Sequence, residues 1–149
     1  MVKKKILLNW SEKINVYDYM NHSLASDYGI YMITRIWGTN SEKEYPEKLL
    51  YIGKTSGSFI QRLKDHTSYW IPELRGRVLV RFAPVHLADN ELEDIESALI
   101  YEAQPVENTS KMKGYTFRSE YLFEITNVGD IGPLPKVVNA ADQLDEGSV

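Results

Sequence analysis

The chain has 149 residues, 43% of them apolar, a formal net charge of −4 and no cysteine. That length suits one domain with one core, and the missing thiols exclude disulfides, thiolate catalysis and thiolate zinc sites. No apolar run approaches the ~20 residues that cross a bilayer, and the acidic balance argues against a protein that coats nucleic acid without specificity.

The opening Met1-Val2-Lys3-Lys4-Lys5-Ile6 is basic, but its apolar continuation stops at Leu8, too short for a signal peptide. An intracellular, cytoplasmic protein with no membrane partner is expected. Ser11 is placed to cap a short helix through Met20, with Ile14 and Tyr17 on its apolar side. Tyr28 to Thr34 is rich in β-branched and aromatic residues and reads as a strand. Trp37 to Lys48 contains Gly38, Asn40, Ser41 and Pro46 and reads as a loop. Leu49 to Thr55 reads as a second strand, antiparallel to the first.

Ser56-Gly57-Ser58 then opens a helix whose apolar side is Phe59, Ile60 and Leu63, running to about Tyr69. Arg77 to Val85 alternates, with Val78, Val80 and Phe82 on one face and Arg77, Leu79 and Arg81 on the other; Pro84 marks an edge or an end. Asn90-Glu91-Leu92-Glu93 resembles a capping box, and the helix it opens runs to about Ala103 and stops by Pro105. Tyr115 to Ile125 reads as a further strand. The last of the 17 aromatics is Phe123, and from Asn127 the chain is polar and ends acidic. The expected architecture is α/β in the α+β sense, a small antiparallel central sheet flanked by helices. It places one domain at residues 1–126 and a polar tail with one helical turn at 127–149.

Charge is unevenly spread. Residues 50–81 carry Lys54, Arg62, Lys64, Arg75, Arg77 and Arg81 against Asp65 and Glu73, while residues 89–107 carry seven acids and no base. The first stretch could face phosphate and the second hold a cation, although charge runs are most often solvated surface. Glu96 has Leu92 four residues back and Leu99 and Ile100 three and four ahead, so it sits on or beside the apolar stripe of its helix. A carboxylate there costs several kcal/mol unless it is paired or binds metal. Both readings stay open, an ion pair with an arginine such as Arg62 or a metal ligand. Arg62 and His66, four apart, project from one helix face, an arrangement suited to phosphate binding and proton traffic. Tyr31 and Tyr51 lie in strands beside Gly29 and Gly53, glycines that often mark close approach by another group. His22, His66 and His86 share no zinc-motif spacing.

Taken in order, Gly29-Ile30-Tyr31, Tyr51-Ile52-Gly53-Lys54, Arg62 with His66, Ile95-Glu96 with Leu99-Ile100, and Pro105-Val106-Glu107-Asn108 resemble the GIY-YIG nuclease superfamily. The resemblance spans about Asp27 to Asn108. It implies a DNA endonuclease that hydrolyses phosphodiester bonds by a one-metal mechanism, with Mg²⁺ or Mn²⁺ as the single ion. It implies that Tyr31 and Tyr51 lie at the attacking water, one of them as general base. Arg62 would bind phosphate, His66 would relay a proton or hold a tyrosine, and Glu96 would be the metal's sole carboxylate. Lys54 and Gly53 would help seat the substrate, and Asn108 would bind its phosphate or brace the site. A dimer or accessory protein partner is the expected source of extra affinity. The alternative is a catalytically inactive nucleic-acid-binding or protein-interaction domain on the same scaffold.

Overall fold

A computed structural model of the protein describes residues 2–37 and 46–141. In chain order the elements are β1 (Val2–Trp10), β2 (Ile14–Asn15), a 3-10 turn (Val16–Asn21), β3 (Gly29–Ile36), β4 (Glu47–Thr55), α1 (Phe59–Tyr69), a 3-10 turn (Ile71–Glu73), β5 (Arg77–Pro84), α2 (Asp89–Ala103), β6 (Tyr121–Gly129) and β7 (Val137–Asn139). Most of the predicted 37–48 loop lies outside the described residues. The fold is α+β. Four strands form an antiparallel sheet in the order β2-β5-β3-β4, and three form a second sheet in the order β1-β6-β7, with β1 parallel to β6 and β7 antiparallel to it.

The two-residue period of a strand divides the core between the faces of the larger sheet. On β3, Ile30 and Met32 join α2 residues Leu92, Ile95 and Leu99 and the second-sheet residues Leu8, Phe123 and Ile125. Tyr31 and Ile33 face the other way, with Phe59 and Leu63 of α1 and Val16 of the first 3-10 turn. α1 therefore covers one face of the four-stranded sheet, while α2 and the three-stranded sheet share the core on the other face. Near the start of β4 the register with β3 slips, Ile33 opposing Tyr51 but Thr34 opposing Leu49. Leu50 is the extra residue of this bulge, and it reverses the alternation. Leu49 and Ile52 turn towards α2, while Leu50 and Tyr51 turn towards α1.

Five expectations differ from the structure. The predicted Ser11–Met20 helix is β2 followed by a 3-10 turn. Ser11 is engaged elsewhere, because its N–H donates to the Phe82 carbonyl and its Oγ accepts the Phe82 N–H. The basic opening residues, for which the sequence gives no strand expectation, form β1. Its alternation is hidden by lysines, one of which, Lys4, lies over the Tyr121 ring at 4.6 Å, its stem covering apolar surface. The strand expected from Tyr115 begins at Tyr121, since the backbone N–H groups of Arg118 and Ser119 bend to the buried carboxylate of Asp94. Residues 127–141 are no tail: the expected domain end at 126 falls inside β6, and β7 returns along it, because the Asn127 side chain receives the Trp10 indole N–H and donates to the Pro135 carbonyl. The remainder of the predicted tail lies outside the described residues.

Arg81 is the fifth correction. Expected on a solvent-facing basic strand, it is 1% exposed and forms ion pairs with Glu47 of β4 and with Asp130, which follows β6. One guanidinium thus ties the two sheets together. Burial alone would raise the Glu47 carboxyl, but hydrogen bonds from Arg81 and Thr34 hold it below its ordinary value. Asp130 is likewise held down, against its burial, by Arg81 and the Lys13 N–H. A carboxyl with a depressed folded-state pKa contributes stability above its unfolded value and loses it as pH falls. Arg81→Ala is expected to lower unfolding free energy by about 3–5 kcal/mol in urea titration, because two carboxylates lose their partner. In the wild-type protein the contribution of this cluster declines as pH drops below the ordinary carboxyl values of 4.5 and 3.8; Glu47→Gln flattens that decline.

Candidate active site at the edge of β4

β4 is the outer strand of its sheet, and α1 and α2 flank that edge from opposite faces. Around its C-terminal end a polar cleft of about 350 Å³ opens, lined by Lys54, Thr55, Ser56, Arg62, Asp89 and Glu96. Arg62 arrives from α1 and Glu96 from α2. A second hollow, on the three-stranded sheet among Lys3, Phe123 and Asn139, holds none of the sequence-predicted site residues.

Behind Arg62 lies an aromatic group. Tyr31 is wholly buried and Tyr51 half-buried, their rings stacked with centroids 6.1 Å apart. Tyr31 stands opposite Gly53 in the β3–β4 register. A Cβ on Gly53 would come within 2.3 Å of both the ring carbon Cζ and the hydroxyl of Tyr31. Gly53 is therefore a glycine because the phenol crosses its backbone. Gly29 shows the same kind of constraint, since with φ +145° its Cβ would lie 2.5 Å from the Val85 nitrogen. The Tyr31 hydroxyl ends 2.8 Å from His66 Nε2. Burial pushes the Tyr31 phenol well above its ordinary pKa, with Tyr51 adding to the rise and Arg62 opposing it.

His66, buried on the same helix face as Arg62, has its pKa lowered to about 4 by burial and by the Arg62 charge. It is a neutral imidazole at physiological pH. Tyr31 beside Arg62 raises the guanidinium's pKa, against the effect of its own burial. Arg62 Nε is buried with no hydrogen-bond partner among the described residues. The other cation of the cleft, Lys54, is paired with Asp89 at 2.9 Å. Arg62 lines the cleft and, unlike Lys54, has no carboxylate paired with it among the described residues, so its charge is open to an anion.

Among the described residues Glu96 is paired with Lys111 and not with Arg62, the ion-pair partner weighed from sequence. Its Oε1 accepts from Lys111 Nζ at 2.7 Å, with the two side chains 12% and 18% exposed. α2 ends at Gln104 in the left-handed region, and the next segment clips the free edge of β4. There the Val106 and Glu107 N–H groups donate to the Leu49 and Leu50 carbonyls. Asn108 completes the clip: its Oδ1 accepts the Ile52 N–H and its Nδ2 donates to the Ile52 carbonyl. Of the two expectations for Asn108, bracing the site or binding phosphate, the structure places it against β4 and away from the cleft lining. Lys111 then turns back at φ +67° onto Glu96.

The structure therefore gathers Lys54, Arg62 and Glu96 at the cleft, and Tyr31, Tyr51, Gly53 and His66 beside it. Sequence reasoning missed Asp89, Lys111 and Trp70. Trp70 was legible as the residue four after His66. Lys111 was not, because it lies in an aperiodic polar stretch. Among the described residues no three His, Cys, Asp or Glu side chains converge on one point. A divalent ion here would have Glu96 as a protein carboxylate, with Asp89 of the same cleft paired to Lys54, and the Thr55 and Ser56 hydroxyls and water as further oxygen donors. That donor set fits a hard cation that keeps most of its water, such as Mg²⁺, provided that Lys111 shares or yields the carboxylate.

Gly53→Ala is expected to force the Tyr31 ring off β4, breaking its hydrogen bond to His66 and lowering stability by about 1–3 kcal/mol in urea denaturation. An unchanged midpoint would show that the ring does not depend on that close crossing. No family model matches this chain, and no curated protein or solved structure does so either.

Proposed function

We propose that the protein is a metal-dependent endonuclease that hydrolyses DNA phosphodiester bonds in the cleft beside β4. One observation carries the reading: a half-buried guanidinium without a carboxylate partner among the described residues lines the same hollow as a largely enclosed carboxylate, with two phenols and a neutral imidazole at its back. An arginine so placed suits the planar oxygens of a phosphodiester.

In this reading Arg62 binds the scissile phosphate and offsets charge that grows on its oxygens during attack. Water forms the new oxygen–phosphorus bond as the bond to the 3′ oxygen breaks, and a phenol takes the water's proton. Tyr51, half-buried, is the phenol that meets solvent, while Tyr31 is enclosed and holds its oxygen against His66. Lys54 and Arg62 supply the positive charge that eases loss of a tyrosine proton. Mg²⁺ or Mn²⁺ held on Glu96 would stabilise the leaving oxygen. The acidic chain gains affinity for DNA through a dimer or an accessory protein.

A second reading is favoured by one contact. Lys111 already neutralises Glu96, so the cleft could bind nucleic acid through Arg62 without cutting it.

The test is cleavage of single-stranded, duplex, flap and junction DNA with Mg²⁺, with Mn²⁺ and with chelator. Cutting that needs metal is expected. Glu96→Gln abolishes it, Arg62→Ala slows it by about a hundredfold or more, and Tyr51→Phe and Tyr31→Phe each reduce it strongly. Salt-dependent DNA binding without cleavage on any substrate would establish the second reading, and full activity in both Arg62→Ala and Glu96→Gln would dismiss this cleft.

A further inference from the structure

His66 is held from both sides. Its Nε2 lies 2.8 Å from the Tyr31 hydroxyl, and its Nδ1 lies 2.7 Å from Nε1 of Trp70, one helical turn further along. These two contacts are not independent. An indole nitrogen can only donate a hydrogen bond, so Nδ1 must present its lone pair to Trp70. A neutral imidazole carries one N–H, which must then reside on Nε2. That N–H points at the Tyr31 oxygen. The direction of the tyrosine–histidine bond is thus decided by a residue that touches neither the tyrosine hydroxyl nor the cleft.

We propose that Trp70 is a positioning residue: its indole N–H fixes His66 as the neutral Nε2–H tautomer and so makes the imidazole a hydrogen-bond donor to Tyr31.

Two consequences follow for the chemistry. First, His66 cannot accept the Tyr31 proton while Trp70 occupies Nδ1, because Nε2 is already protonated. The imidazole therefore donates to the Tyr31 oxygen, which holds the phenol in place, and does not relay its proton. The Tyr31 hydroxyl hydrogen must point away from His66. Second, a second proton on His66 would set an N–H at Nδ1 against the indole N–H, so Trp70 opposes the imidazolium. The other groups around the ring are Arg62 and Asp65 on α1, the Tyr51 ring at a centroid distance of 4.6 Å from β4, and Tyr31 from β3. Arg62 also disfavours the imidazolium and Asp65 favours it. The indole ring is placed for the task, standing edge-on to the imidazole at an interplanar angle of 89° and within 6.0 Å of the Tyr51 ring.

The tautomer stands on geometry alone; its effect on rate rests on the nuclease reading. The experiment separates the two. Nitrogen-15 NMR of the histidine-labelled wild-type protein at neutral pH reports which ring nitrogen of His66 carries the proton. A protonated Nε2 and a bare Nδ1 are expected; a proton on Nδ1 overturns the proposal without any variant. In Trp70→Phe, which keeps a ring and removes the N–H, the two nitrogen signals should move towards each other as tautomers mix, and His66 should titrate at higher pH. If the wild-type signals persist unchanged in Trp70→Phe, Trp70 is not what sets the tautomer and the proposal falls. With a cleavable DNA substrate, the same variant should lose about tenfold in kcat, the worth of one hydrogen bond. KM should be unchanged and the acid limb of the pH–rate profile shifted upward. If no DNA is cut by the wild type but the NMR result holds, the nuclease reading fails and the role of Trp70 in fixing His66 remains.

Discussion

The passage of the Tyr31 ring over Gly53 is the contact on which the site depends. It joins the two strands that carry the candidate chemistry, and it requires a residue without a side chain at the crossing. With the ring in place, the hydroxyl reaches His66 and lies beside Arg62, so that one side of the sheet holds a phenol, an imidazole and a guanidinium in mutual contact. The bulge at Leu50 then adds Tyr51 to the same side. Both features are backbone devices, and neither side chain could be placed by rotamer choice alone.

The arrangement of charge separates structure from site. Arg81 is as basic as Arg62, yet it is closed between Glu47 and Asp130 and binds one sheet to the other. Asp94 is as acidic as Glu96, yet it is wholly buried and receives the N–H groups of Arg118 and Ser119. Both charges are answered by protein groups, and neither residue lines the cleft. Arg62 differs because no carboxylate pairs with it among the described residues and it lines a polar hollow. Glu96 is intermediate, enclosed but held by an ammonium on a flexible stem that a stronger cation could displace.

The segment after α2 connects these parts. Its backbone and Asn108 pair with the open edge of β4, which would otherwise present unpaired peptide groups. The same segment carries Lys111 to Glu96, so the brace of the edge strand and the charge on the carboxylate come from one stretch of chain.

The sequence by itself determined the elements whose signal is local. α1 was legible from Ser58 and its apolar stripe, β3 and β4 from their β-branched and aromatic runs, and α2 from the spacing of Leu92, Leu99 and Ile100, which also marked Glu96 as a carboxylate near the core. The pairing of Arg62 with His66 on one helix face followed from a separation of four residues. The tertiary structure supplied β1 and β7: β1 finds its partner β6 far along the chain, and β7 is only three residues long. It alone decided that Arg81 is buried, that Asn108 braces a strand, and that Lys111 sits on Glu96. Periodicity shows which side of its own element a residue occupies, whereas partners of opposite charge are chosen by whatever distant segment the fold brings within reach.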